Sequence, residues 1–170
     1  MVGPFGADDP APPGAGDIRW PAGLSPGWSD VWAYGEVAVE AAPGLIFALL
    51  ITPGRWEHDF SVIRKVRVAP PGGAALGPDS EFEFETNELR LYAQVIEFVA
   101  DSRLAWSGQG TDISAYQAWV ISGQATTPQV RAGFAARGAA AIALRETSVG
   151  GAQRTLDRWL ADLRIAAETA

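Results

Sequence analysis

The sequence predicts an α+β fold, a curved antiparallel sheet wrapped around one long C-terminal helix, with two short helices after the first strand. Three observations carry this. Ala152, Leu156, Trp159, Leu160, Leu163 and Ala167 recur at three- and four-residue spacing, which places them on one stripe of a helix. Most of the chain before them alternates apolar and polar side chains, as half-buried strands do. Two of these runs flank Asn87-Glu88 and read as a hairpin. A helix with one broad apolar stripe needs a surface to lie on, and here that surface is the sheet. A sheet curved around a helix can leave a cavity between them, so function is expected there.

Composition narrows the classes. The 170 residues suit one domain with a real core, and 48% hydrophobic content excludes a disordered chain. The formal charge is −7 and the pI about 4.6, with no cluster of Lys and Arg for a phosphate backbone, so nucleic acid is not an expected partner. There is no Cys, and one His cannot build a His-rich metal site. An all-carboxylate site has no visible motif, and no cofactor is indicated. The uncharged run Ala41–Gly54 is too short to span a bilayer, and the N-terminus lacks a basic, apolar signal peptide. A cytoplasmic chain is expected. Met1–Gly16, rich in Pro, Gly, Ala and Asp, reads as a flexible tail, and residues 17–170 as a single domain.

In chain order, Asp17–Asp30 holds Trp20 and Trp28 among turn residues and either packs back on the body or forms a lid over a pocket. Val31–Glu40 is a half-buried strand with Val31, Ala33, Gly35, Val37 and Val39 on one face. Pro43 suits the first position of a short helix through Ile51, ended by Pro53-Gly54. Arg55–Asp59 contains the single His between two carboxylates, beside Trp56. It reads either as a solvated short helix with Trp56 tucked inward, or as an acid/base group at a cavity mouth.

Val62–Ala69 is a second strand and Pro70–Pro78 a loop. Ser80–Thr86 and Leu89–Val99 pair about Asn87-Glu88, setting Thr86 opposite Leu89, Phe84 opposite Leu91 and Phe82 opposite Ala93. Glu81, Glu83 and Glu85 then fall on the wet face with Arg90 opposite Glu85, which argues against a metal or acid/base role for the three. Strict alternation would turn Glu97 inward beside Trp106. A bulge near Ile96 would instead bury Ile96 and Phe98 and expose Glu97, and it hides more apolar area. Without the bulge, Glu97 is the best buried carboxylate. Ser114–Ser122 places Gln117 and Trp119 on one face and Tyr116, Ala118 and Val120 on the other. Gln129–Arg137 alternates again. Ala139–Arg145 starts a helix that Gly150-Gly151 breaks or kinks.

The ordered set Val37–Pro43 with Ile46-Phe47, the Trp56 segment, Leu104–Gly108, Trp119-Val120, Val130 with Arg137-Gly138, and Leu156, Trp159-Leu160 and Leu163 resembles the polyketide cyclase/dehydrase and START-like superfamily, SRPBCC, with its Bet v 1-like helix-grip fold. The resemblance runs from about Asp30 to the end. It implies a deep apolar cavity for a lipid, polyketide or other hydrophobic molecule, without fixing one chemistry. Relatives often carry His where this chain has Gln117, and Glu around Gly133 and Phe134. That departure favours binding by shape.

Two functions follow. One is cyclisation or dehydration of a polyketide-like intermediate, catalysed by orientation, with His58, Asp59, Gln117 or Glu97 supplying a proton or a hydrogen bond. The other is a carrier or binding protein for a hydrophobic ligand. In both, Trp56, Phe82, Phe84, Leu91, Trp106, Trp119, Ala132 and Phe134 are expected to line the pocket. Assembly as a homodimer stays open.

Overall fold

Alternation along the chain becomes strands β1 (Val31–Ala38), β2 (Arg64–Ala69), β3 (Glu81–Thr86), β4 (Leu89–Val99), β5 (Arg103–Gly110), β6 (Ile113–Gly123) and β7 (Pro128–Arg137). The computed structural model describes residues 17–69 and 75–170. The expected tail Met1–Gly16 and the first part of the Pro70–Pro78 loop lie outside the described residues. The strands form one seven-stranded antiparallel sheet in the order β1-β7-β6-β5-β4-β3-β2. Helices α1 (Pro43–Leu50) and α2 (Trp56–Asp59) carry the chain from one sheet edge to the other, α3 (Ala139–Thr147) follows the last strand, and α4 (Gly151–Glu168) closes the chain.

Helix α4 buries the whole expected stripe, Ala152, Leu156, Trp159, Leu160, Leu163 and Ala167. Asp162 is buried beside the stripe because it has partners: the Ser61 N–H and O–H donate to it at 2.9 and 2.7 Å, and Arg158 lies at 3.1 Å. The helix also guards the β1 edge. Tyr34 N–H donates to Gln153 Oε1 at 3.1 Å and Gln153 Nε2 donates to Tyr34 O at 2.7 Å, so a side-chain amide stands in for a neighbouring strand. Ala139–Thr147 is a separate helix, and the chain turns at Gly150 with φ 71° before α4 begins.

The hairpin pairs as expected, Thr86 with Leu89, Glu85 with Arg90, Phe84 with Leu91 and Phe82 with Ala93. Asn87 and Glu88 both sit at positive φ, 51° and 62°, which a two-residue hairpin turn demands. The outward carboxylates are taken up by cations: Glu85 by Lys65 at 3.3 Å, and Glu83 by Arg67 at 3.7 Å and Arg90 at 3.5 Å. The bulge is present between Val95 and Glu97. It turns Phe98 inward, 5.3 Å from the Phe47 ring. It does not bury Ile96, which is the extra residue and stays 51% exposed.

The loop before β1 packs on the outer face of the sheet. Ile18, Trp20 and Leu24 cover Tyr116, Ala118 and Val120. It is therefore a strap on the face away from α4 and not a lid. Gly133 is where it rests: a Cβ there would lie 2.4 Å from Ile18 and 2.7 Å from Trp20. The hydrogen at Gly133 makes room for the strap, and this position does not face the space under the helix.

Candidate functional site

Large rings crowd the space between sheet and helix. Trp56 is fully buried, with the rings of Phe82, Trp106, Phe84 and Trp159 at 5.4, 5.6, 6.2 and 6.3 Å. Trp119 meets Trp159 edge to face at 5.1 Å. Most of these contacts are tilted or T-shaped, the geometry that aromatic quadrupoles favour. The deep cavity implied by the resemblance is consequently closed by its own walls. Trp56, Phe82, Phe84, Leu91, Trp106, Trp119 and Ala132 are buried as expected, but against one another.

Under the N-terminal half of α4 lies a nook of about 20 Å³, lined by Thr86, Asn87, Gln117, Phe134, Ala152, Thr155, Leu156 and Trp159. This is room for one water-sized group. Gln117 and Phe134 are the expected site residues that reach it. Its polar atoms are unusual. Thr86 Oγ1, Gln117 Nε2 and Trp159 Nε1 are buried and have no hydrogen-bond partner among the described residues. Thr86, Gln117 and Trp159 are 8, 5 and 2% exposed. Buried polar groups nearly always find a partner, and each one that does not costs about 1–3 kcal/mol. Three around one small volume can be met together by one small polar group, a water or the polar end of a ligand. Among the described residues no titratable side chain lines it.

Asn87 sits at the rim, where the Thr155 O–H donates to its Oδ1 at 2.5 Å. Beyond it lies an open groove of about 600 Å³ formed by Asn87, Glu88 and Leu89 with Ala140, Ala143, Leu144, Thr147 and Ser148 of α3 and its end. A second open depression, about 540 Å³, lies on the outer face, but Arg67 and Glu83 there already pair with each other.

The four polar candidates are not brought together. His58 is 87% exposed on α2, its Nδ1 3.0 Å from Asp59 Oδ1, while Arg55 holds that same oxygen at 3.3 Å. These residues border a shallow hollow with Asp162, Ile165, Ala166 and Thr169, at the opposite end of α4 from the nook. Asp59 is buried there to 3% side-chain exposure, its Oδ2 without a partner among the described residues. Glu97 is on the outer face, bound by Arg103 and Arg19, each at 3.0 Å. It is neither an inward carboxylate nor fully exposed, with 14% of its side chain accessible. Its charge and, above all, burial push the Tyr116 hydroxyl up to about 12. Among the described residues no group of three or more His, Asp or Glu is placed to hold a metal ion.

Thr86, Asn87, Thr155 and Trp159 were not singled out as site residues from the sequence. Thr86 had left a signal, as the polar residue on the otherwise apolar face of Phe82 and Phe84.

Among solved structures, the chain is similar to hypothetical protein jhp0584 from Helicobacter pylori, with 25% identity, TM-score 0.79, and 88% of this chain and 95% of that one covered. A START superfamily protein from Mycobacterium smegmatis shares 10% identity at TM-score 0.62, over 81% and 97% of the two chains. DynU16, from the dynemicin biosynthetic locus, shares 13% at TM-score 0.57, over 81% of this chain and 47% of its own. No protein-family profile and no curated protein matches. The architecture is the helix-grip α+β fold. These neighbours share that fold.

Proposed function

We propose that the protein binds a hydrophobic small molecule at the nook under α4 and the groove that adjoins it, and serves as a carrier or binding protein for it. The observation that supports this is the nook itself, where three buried side-chain polar atoms without a partner among the described residues stand among apolar walls. Apolar walls with a few convergent polar anchors are what a small-molecule site needs. The absence of any titratable side chain from the nook's lining weighs against proton transfer there.

A second reading is cyclisation or dehydration of a polyketide-like substrate, in keeping with a neighbour from a biosynthetic locus. N–H donors that hold a carbonyl oxygen also polarise it. On this reading the reaction relies on chain folding and carbonyl polarisation, since His58, Asp59 and Glu97 lie elsewhere.

Native mass spectrometry of the protein purified from its own host tests the binding reading. An apolar species should be retained by the native chain and lost from a Thr86→Val/Gln117→Met variant. A protein that carries nothing, and whose tryptophan fluorescence ignores a panel of apolar ketones, alcohols and lipids, would overturn it. Conversion of a retained species during the measurement would favour the enzyme.

A further inference from the structure

The nook's own chemistry narrows its ligand. Its volume, about 20 Å³, admits a single small group and not a ring or chain. Its walls fix the polarity of that group. An indole N–H can only donate, so whatever meets Trp159 Nε1 must accept. Thr86 and Gln117 can each present a donor to the same atom. Charge is excluded by what surrounds it. Among the described residues no Lys, Arg or His lines the nook or the adjoining groove, and Glu88 is the charged side chain of the two linings. A carboxylate or phosphate pushed in would be buried without a counter-ion and would meet Glu88 on the way, at high cost. A cation would meet the Trp159 N–H, a donor where it needs an acceptor.

The body of such a molecule needs space of its own. The interior around Trp56 is filled with rings. The groove beside α3 is the space that shares a wall with the nook, through Asn87, and Leu89, Ala140, Ala143 and Leu144 give it an apolar floor. The Asn87–Thr155 hydrogen bond stands between the two spaces.

Resting on the binding reading above, we infer that the protein takes an uncharged molecule head first by one acceptor oxygen, a ketone or a similar carbonyl. The oxygen sits between Thr86, Gln117 and Trp159. The apolar body lies in the groove between the β3–β4 turn and α3.

The test is binding of the fluorescent ketone laurdan, with displacement by methyl undecyl ketone, dodecene and dodecanoate. The ketone should displace laurdan at a concentration at least about tenfold lower than either of the others needs, a typical effect of losing a buried hydrogen bond or burying a bare charge. Thr86→Val/Gln117→Met, which keeps side-chain volume and so the fold, should bring ketone and dodecene to near equality. Ala143→Trp, at an exposed helix position, should weaken laurdan binding at least tenfold by filling the groove. Equal displacement by ketone and dodecene in the native protein would overturn the oxygen-reading inference while leaving hydrophobic binding intact. Strongest displacement by dodecanoate would overturn the exclusion of charge. A double variant with its ketone preference unchanged would remove the nook from the argument, and an Ala143→Trp variant with native affinity would remove the groove. If laurdan fails to bind and none of the three competitors alters tryptophan fluorescence, the inference and the binding reading fall together.

Discussion

Tyr116 and Gln117 are neighbours on β6, point to opposite faces of the sheet, and are treated in opposite ways. On the outer face the Tyr116 hydroxyl donates to the Arg19 carbonyl at 2.8 Å. Glu97 beside it and Arg131 farther along the same face are engaged as well, Glu97 with Arg103 at 3.0 Å and Arg131 with Asp17 at 2.8 Å and Glu36 at 3.2 Å. On the inner face Gln117 Nε2, Thr86 Oγ1 and Trp159 Nε1 are just as buried and have no partner among the described residues. The same chain thus satisfies one buried face with a strap and leaves the other with open hydrogen-bonding capacity. That open capacity is what the proposed ligand oxygen would meet.

The largest test of this contrast concerns the ring cluster. Phe84→Ala should destabilise the protein by about 3–5 kcal/mol in urea unfolding, because Phe84 is 1% exposed and its neighbours cannot collapse fully. A loss below about 1 kcal/mol would mean that the interior is a yielding pocket and not a packed plug. On the outer face, Gly133→Ala should cost about 1–3 kcal/mol by pushing Ile18 and Trp20 off the sheet. Faster hydrogen exchange of Tyr116 and Ala118, with the inner core unchanged, would locate that effect in the strap.

The sharpest comparison is a pair of substitutions with opposite signs. Tyr116→Phe breaks a made hydrogen bond and should destabilise by about 1 kcal/mol. Gln117→Met removes an unmade one and should stabilise by about 1 kcal/mol while weakening ligand binding, the trade expected of a functional residue. Destabilisation by both would show that the two faces are satisfied alike. The smallest effect is in alkali. The Tyr116 hydroxyl is raised from 10.0 to about 12 in the folded state, so below pH 10 it is protonated whether the chain is folded or not. Stability should therefore decline as pH rises from 10 to about 12, where the unfolded chain loses its proton and the folded chain keeps it. Tyr116→Phe should flatten that decline in a series of unfolding curves.

Much of this architecture follows from local rules that a sequence displays. Period-two alternation assigned Tyr116 and Gln117 to opposite faces, and the two-residue turn at Asn87-Glu88 set the β3–β4 register residue by residue. The conflict between Glu97 and its apolar neighbours called for a bulge, and spacing of three and four defined the buried stripe of α4. Each of these needs only neighbours within a turn or a hairpin. Space and convergence are different in kind. Whether the rings of Trp56, Phe84 and Trp106 line a cavity or fill it depends on sheet curvature and on rotamers chosen jointly, which no periodicity records. The strap's choice of the outer face depends on a missing side chain at Gly133, more than a hundred positions from Ile18. The Asn87–Thr155 contact joins residues 68 positions apart, and the meeting of Thr86, Gln117 and Trp159 draws on two strands and a helix. Faces are properties of a segment, and the sequence determines them. Sites are properties of several segments closing on one point, and only the tertiary structure decides where that point lies.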